Sequence, residues 1–206
     1  MLRFIMMVGV AGSGKSTIAM KIAAQMREEV VILSSDAIRG EIYGDENCQQ
    51  DPGRVFNIMH QRTVEALSHG VSVIYDATNL SCKRRMNLLK SIAHIDCRKH
   101  CVVVVATPED IAERMQHRDR KVPYIVVHKQ LCQFQCPNYY EGWDKIEIRY
   151  NSTPEVCHAS YKKLWAECDI PHDNPHHSLS VMEHMNKAAD IAEDLAWKVD
   201  GLSLVH

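Results

Sequence analysis

Near the start of the chain, Gly9-Val10-Ala11-Gly12-Ser13-Gly14-Lys15-Ser16 sets three glycines, a lysine and a hydroxyl in the spacing GxxxxGK followed by Ser or Thr. Glycines so placed let backbone N–H groups wrap a chain of phosphates, Lys15 would bridge phosphate oxygens, and the Ser16 hydroxyl would ligate Mg²⁺. The flanks suit this chemistry. An apolar run, Phe4 to Val10, enters the loop and a helix-patterned stretch leaves it, so the dipole at that helix N-terminus would add to the attraction. The implied ligands are ATP or another nucleoside triphosphate with Mg²⁺, held by Gly9, Ala11, Gly12, Ser13, Gly14, Lys15, Ser16 and Thr17.

Two further polar clusters follow apolar runs. Val30–Leu33 ends in Ser34-Ser35-Asp36, and Val71–Tyr75 ends in Asp76-Ala77-Thr78-Asn79. Ligands of open α/β sheets bind at the carboxyl ends of the strands, so all three clusters belong on one edge. There Asp36 could orient an attacking hydroxyl and take its proton, or it could cap a helix. Arg39 lies three residues on, on the same helix face, where its fork would suit an acceptor phosphate or face solvent. Asp76 could support a Mg²⁺ shell, and Thr78 and Asn79 could touch substrate or serve as turn groups. Lys83-Arg84-Arg85 reads as a solvated helix face. Arg114, His117, Arg118, Arg120 and Lys121 form a basic cluster that could close over a triphosphate, as arginines do in phosphoryl transfer.

The elements that must place these residues alternate. Strands are expected at Arg3–Val8, Val30–Leu33, Val71–Tyr75, Cys101–Ala106 and Ile146–Ile148, with helices at Ser16–Arg27, Asp36–Ile42, Gly53–His69, Ser81–His94, Pro108–His117 and Pro123–Phe134. That rhythm predicts an α/β fold, a parallel sheet covered by helices on both faces. Past Asn151 the rhythm stops and prolines punctuate two helical segments. We expect one catalytic domain over residues 1–150 and a helical C-terminal appendage over 151–206.

Composition narrows the class. A chain of 206 residues can bury a core without staples, and a net charge of -2 excludes a globally basic nucleic-acid binder. The eight cysteines are irregularly spaced, which points to reduced thiols and a cytoplasmic setting, and Cys97/Cys101 and Cys132/Cys136 lack the spacing of a zinc knuckle. No stretch is long and apolar enough to predict a membrane span.

GVAGSGKST (Gly9–Thr17), SSDAIRG (Ser34–Gly40), VIYDATN (Val73–Asn79) and ERMQHRDRKVP (Glu113–Pro123) together resemble the motifs of the P-loop 5′-hydroxyl polynucleotide kinases, over roughly residues 3–150. The resemblance implies a P-loop kinase fold and transfer of the γ-phosphate of ATP to the 5′-hydroxyl end of RNA or DNA. Lys15 and Ser16 would then serve phosphate and Mg²⁺, Asp36 would be the base, and Arg39 would bind the acceptor phosphate. Arg118 or Arg120 would be the lid arginine, with Arg114 nearby. No stacking platform for a base is visible in these motifs. The alternatives are a kinase of a small-molecule hydroxyl and a nucleotide-dependent switch. Asp173 to His184 resembles the opening of an HD-family phosphohydrolase without its later residues, so the C-terminal helix, Leu179 to Trp197, is expected to pack on the kinase domain, on a second copy or on a partner.

Overall fold

Five short runs rich in valine and isoleucine extend as strands, since branched side chains suit a pleated, buried surface. They are β1 (Arg3–Val8), β2 (Val30–Ser34), β3 (Ser72–Asp76), β4 (Arg98–Val105) and β5 (Lys145–Tyr150), in a computed structural model that describes residues 1–48, 50–117, 124–151, 153, 155–157 and 159. Every pairing is parallel and the spatial order is β2-β3-β1-β4-β5. Among the described residues six α-helices connect them: α1 (Lys15–Gln25), α2 (Ser35–Tyr43), α3 (Pro52–Ser68), α4 (Cys82–Ser91), α5 (Pro108–His117) and α6 (Tyr124–Cys132).

The period of two along each strand sorts side chains onto opposite faces. Ile5 and Met7 of β1, Ile74 of β3 and Val102 and Val104 of β4 meet Ile18, Ala19 and Ile22 of α1. The alternate residues Phe4, Met6 and Val8, with Val73, Tyr75, Cys101 and Val103, pack on Ile38 of α2, Val55 and Met59 of α3 and Leu88 of α4. Each such side chain, fully buried, contributes about 1.5–3 kcal/mol. A third cluster sits at the carboxyl end of the sheet, where Ile111 and Met115 of α5 and Val127 of α6 cover Val10 and Ala106. This cluster backs the glycine loop.

The strand bounds differ from the sequence pattern in informative places. β3 reaches Asp76 because that residue pairs in register with Met7 on one side and Ser34 on the other. β4 starts at Arg98, ahead of the apolar Cys101, because its polar beginning pairs with Arg3, Phe4 and Ile5 of the central strand. Past β5, Cys157 is buried in the larger cluster, so the chain there packs on the sheet. The expected C-terminal helix, the HD-like segment Asp173 to His184 and the contact with a second copy or partner lie outside the described residues. Among the described residues no disulfide forms, and no helix is long and apolar enough to cross a membrane.

Candidate active site

Register brings three strand ends level: Asp76 stands between Met7 and Ser34, so the loops after β1, β2 and β3 leave the sheet side by side. The β1 and β3 exits are tied together. The Gly9 N–H donates to the Thr78 carbonyl at 3.0 Å, and the Asn79 side-chain amide donates to the Met7 carbonyl at 2.7 Å. Asn79 holds a positive φ of 49° to do so, a conformation in which Asn is tolerated better than most residues.

Gly12 and Gly14 carry the glycine loop through φ of 81° and 94°. A Cβ on Gly14 would stand 2.9 Å from the Asn151 amide nitrogen, and one on Gly12 would meet Met115 Cε at 2.6 Å; those side-chain ends can shift, but the positive φ demands glycine at both positions. The loop is held from outside. Gln130 accepts from the Ala11 N–H at 2.8 Å, Arg114 donates to the Gly12 and Ser13 carbonyls at 3.4 and 3.3 Å, and the Asn151 amide also donates to the Ser13 carbonyl. Lys15 is buried and its ammonium donates to the Val10 carbonyl at 2.7 Å, which folds its stem back over the loop.

This loop fits a polyanion with Mg²⁺. The first turn of α1 points its backbone N–H groups toward the loop, as any helix N-terminus does, and that turn carries no acidic side chain. The buried Ser13 hydroxyl finds no hydrogen-bond partner among the described residues. Ser16 and Asp76 line the same cleft, and a hydroxyl with a carboxylate is the hard-oxygen donor set that Mg²⁺ takes beside phosphates.

Helix α2 lines the same cleft as the glycine loop. Its cap is Ser34, whose hydroxyl accepts from the Asp36 N–H at 3.3 Å, so the capping reading passes from Asp36 to its neighbour. Asp36 sits in the first turn instead. Arg39, one turn on and 8% exposed, donates to the Asp36 carboxylate at 2.6 Å and to the Ser35 hydroxyl at 3.4 Å. A cleft of about 760 Å³ joins this pair to Ala11, Gly12, Gly14, Lys15, Ser16, Thr17, Asp76, Thr78 and Arg114. Gly9, Ser13 and Asn79 act behind that surface as supports. Arg118 and Arg120 lie outside the described residues.

Sequence reasoning missed Gln130, Asn151 and the partner of Arg85. Gln130 lies mid-helix with no motif around it. Asn151 directly follows β5, where the rule of strand carboxyl ends would have flagged it. Arg85 belongs to a run read as solvated, yet its guanidinium is fully buried in a two-pronged pair with Glu141 at 2.7 and 2.6 Å. It also donates to the Asn79 and Leu80 carbonyls at 2.9 and 3.1 Å, which fixes the loop that receives the Gly9 N–H. Trp143 Nε1 donates to Glu141 at 3.0 Å as well. Removing one member of a buried pair leaves the other charge unmatched, so Arg85→Met is expected to cost about 3–5 kcal/mol. In urea unfolding, the double variant Arg85→Met/Glu141→Leu should be more stable than Arg85→Met alone.

A family model described as an AAA domain matches residues 4–137, from β1 to just past α6. The chain belongs to this AAA domain family, AAA_33. The matched part of the AAA domain holds the glycine loop, Asp36, Arg39, Asp76 and Arg114, and leaves β5 and Asn151 outside. An L-seryl-tRNA(Sec) kinase of Methanococcus maripaludis is 25% identical over 203 residues, 97% of this chain and 76% of that protein. Three solved structures share the fold. A chain of the Pnkp1/Rnl/Hen1 RNA repair complex superposes with a TM-score of 0.56 at 21% identity, covering 63% of this chain and 42% of that one. The AAA domain chain thus spans less than half of that RNA repair protein. Kti12 of Chaetomium thermophilum, in complex with ADP-AlF3, gives 0.60 at 15% identity over 79% and 97% of the two chains. A gluconokinase of Sinorhizobium meliloti 1021 gives 0.51 at 21% over 81% and 95%. The fold is that of the P-loop kinases, a five-stranded parallel sheet flanked by helices.

Proposed function

We propose that this chain transfers the γ-phosphoryl group of ATP to the 5′-hydroxyl end of a polynucleotide. The observation that carries the reading is the Asp36–Arg39 pair, 2.6 Å apart, facing the same cleft as Lys15 and Ser16. A phosphate-holding loop alone would serve any nucleotide switch. A carboxylate held across from it by a buried arginine gives an acceptor hydroxyl a place to stand. Phosphoryl transfer has a loose transition state, so the protein's task is alignment and charge stabilisation. Lys15 and the first-turn amides of α1 hold the transferring group, Asp36 orients the hydroxyl and takes its proton, and Arg39 holds the acceptor's phosphate. Ser16, supported by Asp76, would hold Mg²⁺, which neutralises charge on the donor phosphates. Arg114 stands beside the loop where a further positive charge is useful, and Arg118 or Arg120 remains the proposed lid arginine.

Relatives that act on RNA support a nucleic-acid acceptor, and one of them favours a second reading. The kinase of seryl-tRNA is similar over nearly the whole chain, which points to a hydroxyl carried elsewhere on an RNA. The test is transfer of labelled γ-phosphate to 5′-hydroxyl RNA and DNA oligonucleotides, to seryl-tRNA and to gluconate, with Asp36→Asn as control. Label at the 5′ end of oligonucleotides alone is expected. Label on seryl-tRNA or gluconate alone would overturn the 5′-end reading, and hydrolysis with no acceptor labelled would leave a nucleotide-dependent switch.

Arg39→Ala is expected to raise KM for the 5′-hydroxyl acceptor about tenfold and to leave KM for ATP within about twofold, since a hydrogen bond to a charged group contributes about 1.5–3 kcal/mol. Equal rises in both constants would place Arg39 on the donor side.

A further inference from the structure

We propose that a second cleft beside the transfer site is a nucleobase pocket for the acceptor's terminal nucleotide. This deepens the reading above and rests on it. The cleft encloses about 810 Å³ between α3, the exit of β3, α4 and α6. It adjoins the transfer cleft, for Phe56, Thr78, Arg84 and Gln130 line both. A hydroxyl standing before Asp36 can therefore belong to a group seated next door.

The lining states the chemistry of that group. Among the described residues the second cleft has no carboxylate, and Arg84 is its one permanent charge. Burial lowers the pKa of His60, which favours its neutral ring. Phe56, His60 and Phe134 offer aromatic surface, while Asn57 and Gln133 offer amides that both donate and accept. A planar, uncharged ring with hydrogen-bonding edges matches this combination, and aromatic faces hold bases of any sequence. A sugar phosphate or carboxylate does not match it. Tyr75, 1% exposed, lies behind these groups, its ring 6.0 Å from that of His60. Arg84 sits at the mouth, its guanidinium 5.9 Å from the Phe56 ring centroid, where the first phosphodiester after the base would pass.

The test compares two 5′-hydroxyl oligonucleotides, one with an intact terminal nucleotide and one whose terminal nucleotide is abasic, using the full chain. The abasic acceptor is expected to show a KM about tenfold higher, the effect of one stacked base. Phe134→Leu and Asn57→Ala, at residues that line the second cleft and not the transfer cleft, should each raise KM for the intact acceptor severalfold and leave that for the abasic acceptor nearly unchanged. Because both acceptors are measured on the same protein, a general loss of folding cancels from the ratio. Equal KM for the two acceptors, or variants that shift both alike, would overturn the pocket and leave 5′-end transfer standing. Binding of adenosine, guanosine, cytidine and uridine to the protein with ADP and Mg²⁺, followed by calorimetry, separates the two claims. If no oligonucleotide is phosphorylated but nucleosides bind and Phe134→Leu weakens them severalfold, the pocket stands and the polynucleotide reading falls. If neither phosphorylation nor nucleoside binding is seen, both fall.

Discussion

Lys15→Ala is expected to lower transfer to every acceptor by at least about 10³-fold, equivalent to about 4 kcal/mol of barrier. The size follows from where the ammonium sits. It is buried at the foot of α1 and donates to Val10 of the same loop, so its charge is held within the loop before any donor arrives. A charge fixed in advance, away from bulk water, stabilises developing negative charge without reorganisation during the reaction. Alanine removes it and leaves the loop backbone as it is, since Gly12 and Gly14 set the turns and Gln130, Arg114 and Asn151 hold the carbonyls and the Ala11 amide. The variant should therefore fold normally and still bind ATP weakly, and single-turnover transfer with labelled ATP is the measurement. Robust transfer by Lys15→Ala would sink the assignment of this loop to the donor.

How much of this was legible beforehand differs between fold and site. The strands announced themselves because a parallel sheet buried on both faces needs continuous apolar runs, and Phe4 to Val10 or Val71 to Tyr75 are such runs. The polar ends did not announce themselves. Arg98 to His100 belong to β4 through pairing with β1, joined at His100 by β5, a long-range fact with no local signature. Asp76 likewise extends β3 by pairing on two sides at once.

At the site, motifs reported Lys15, Asp36 and Arg39, which face the cleft, and were silent on Gln130, Asn151 and Glu141, which brace it. Lys15, Asp36 and Arg39 lie in short contiguous patterns whose spacing follows from a loop or one helical turn. Gln130 reaches Ala11 across 119 positions, and Arg85 reaches Glu141 across 56, so no window of sequence contains either relationship. Arg85 shows the hazard most clearly, because its neighbours Lys83 and Arg84 are exposed and only the third residue of the run turns inward. The aromatic platform was hidden for the same reason. Phe56 and His60 come from α3 and Phe134 follows α6, and the three line one cleft only once these helices lie beside the exit of β3.

Asp36→Asn is expected to lower kcat for the acceptor by about 10²–10⁴-fold, the range a positioned proton acceptor supplies, with ATP affinity unchanged. Asparagine keeps the shape and an oxygen that can accept from Arg39, so the geometry of α2 should survive. Its cap does too, because Ser34 and not residue 36 provides it. Two things change. The proton of the attacking hydroxyl loses its acceptor, and Arg39, now paired with a neutral amide, presents more of its charge to an acceptor phosphate. The second effect runs opposite to the first: KM for the acceptor should stay level or fall while kcat collapses, a split that separates a role in the reaction from a role in binding. Steady-state kinetics on a 5′-hydroxyl oligonucleotide, with ATP binding measured by calorimetry, reads both. An unchanged kcat would remove Asp36 from the reaction and reduce its 2.6 Å contact with Arg39 to a brace within the helix.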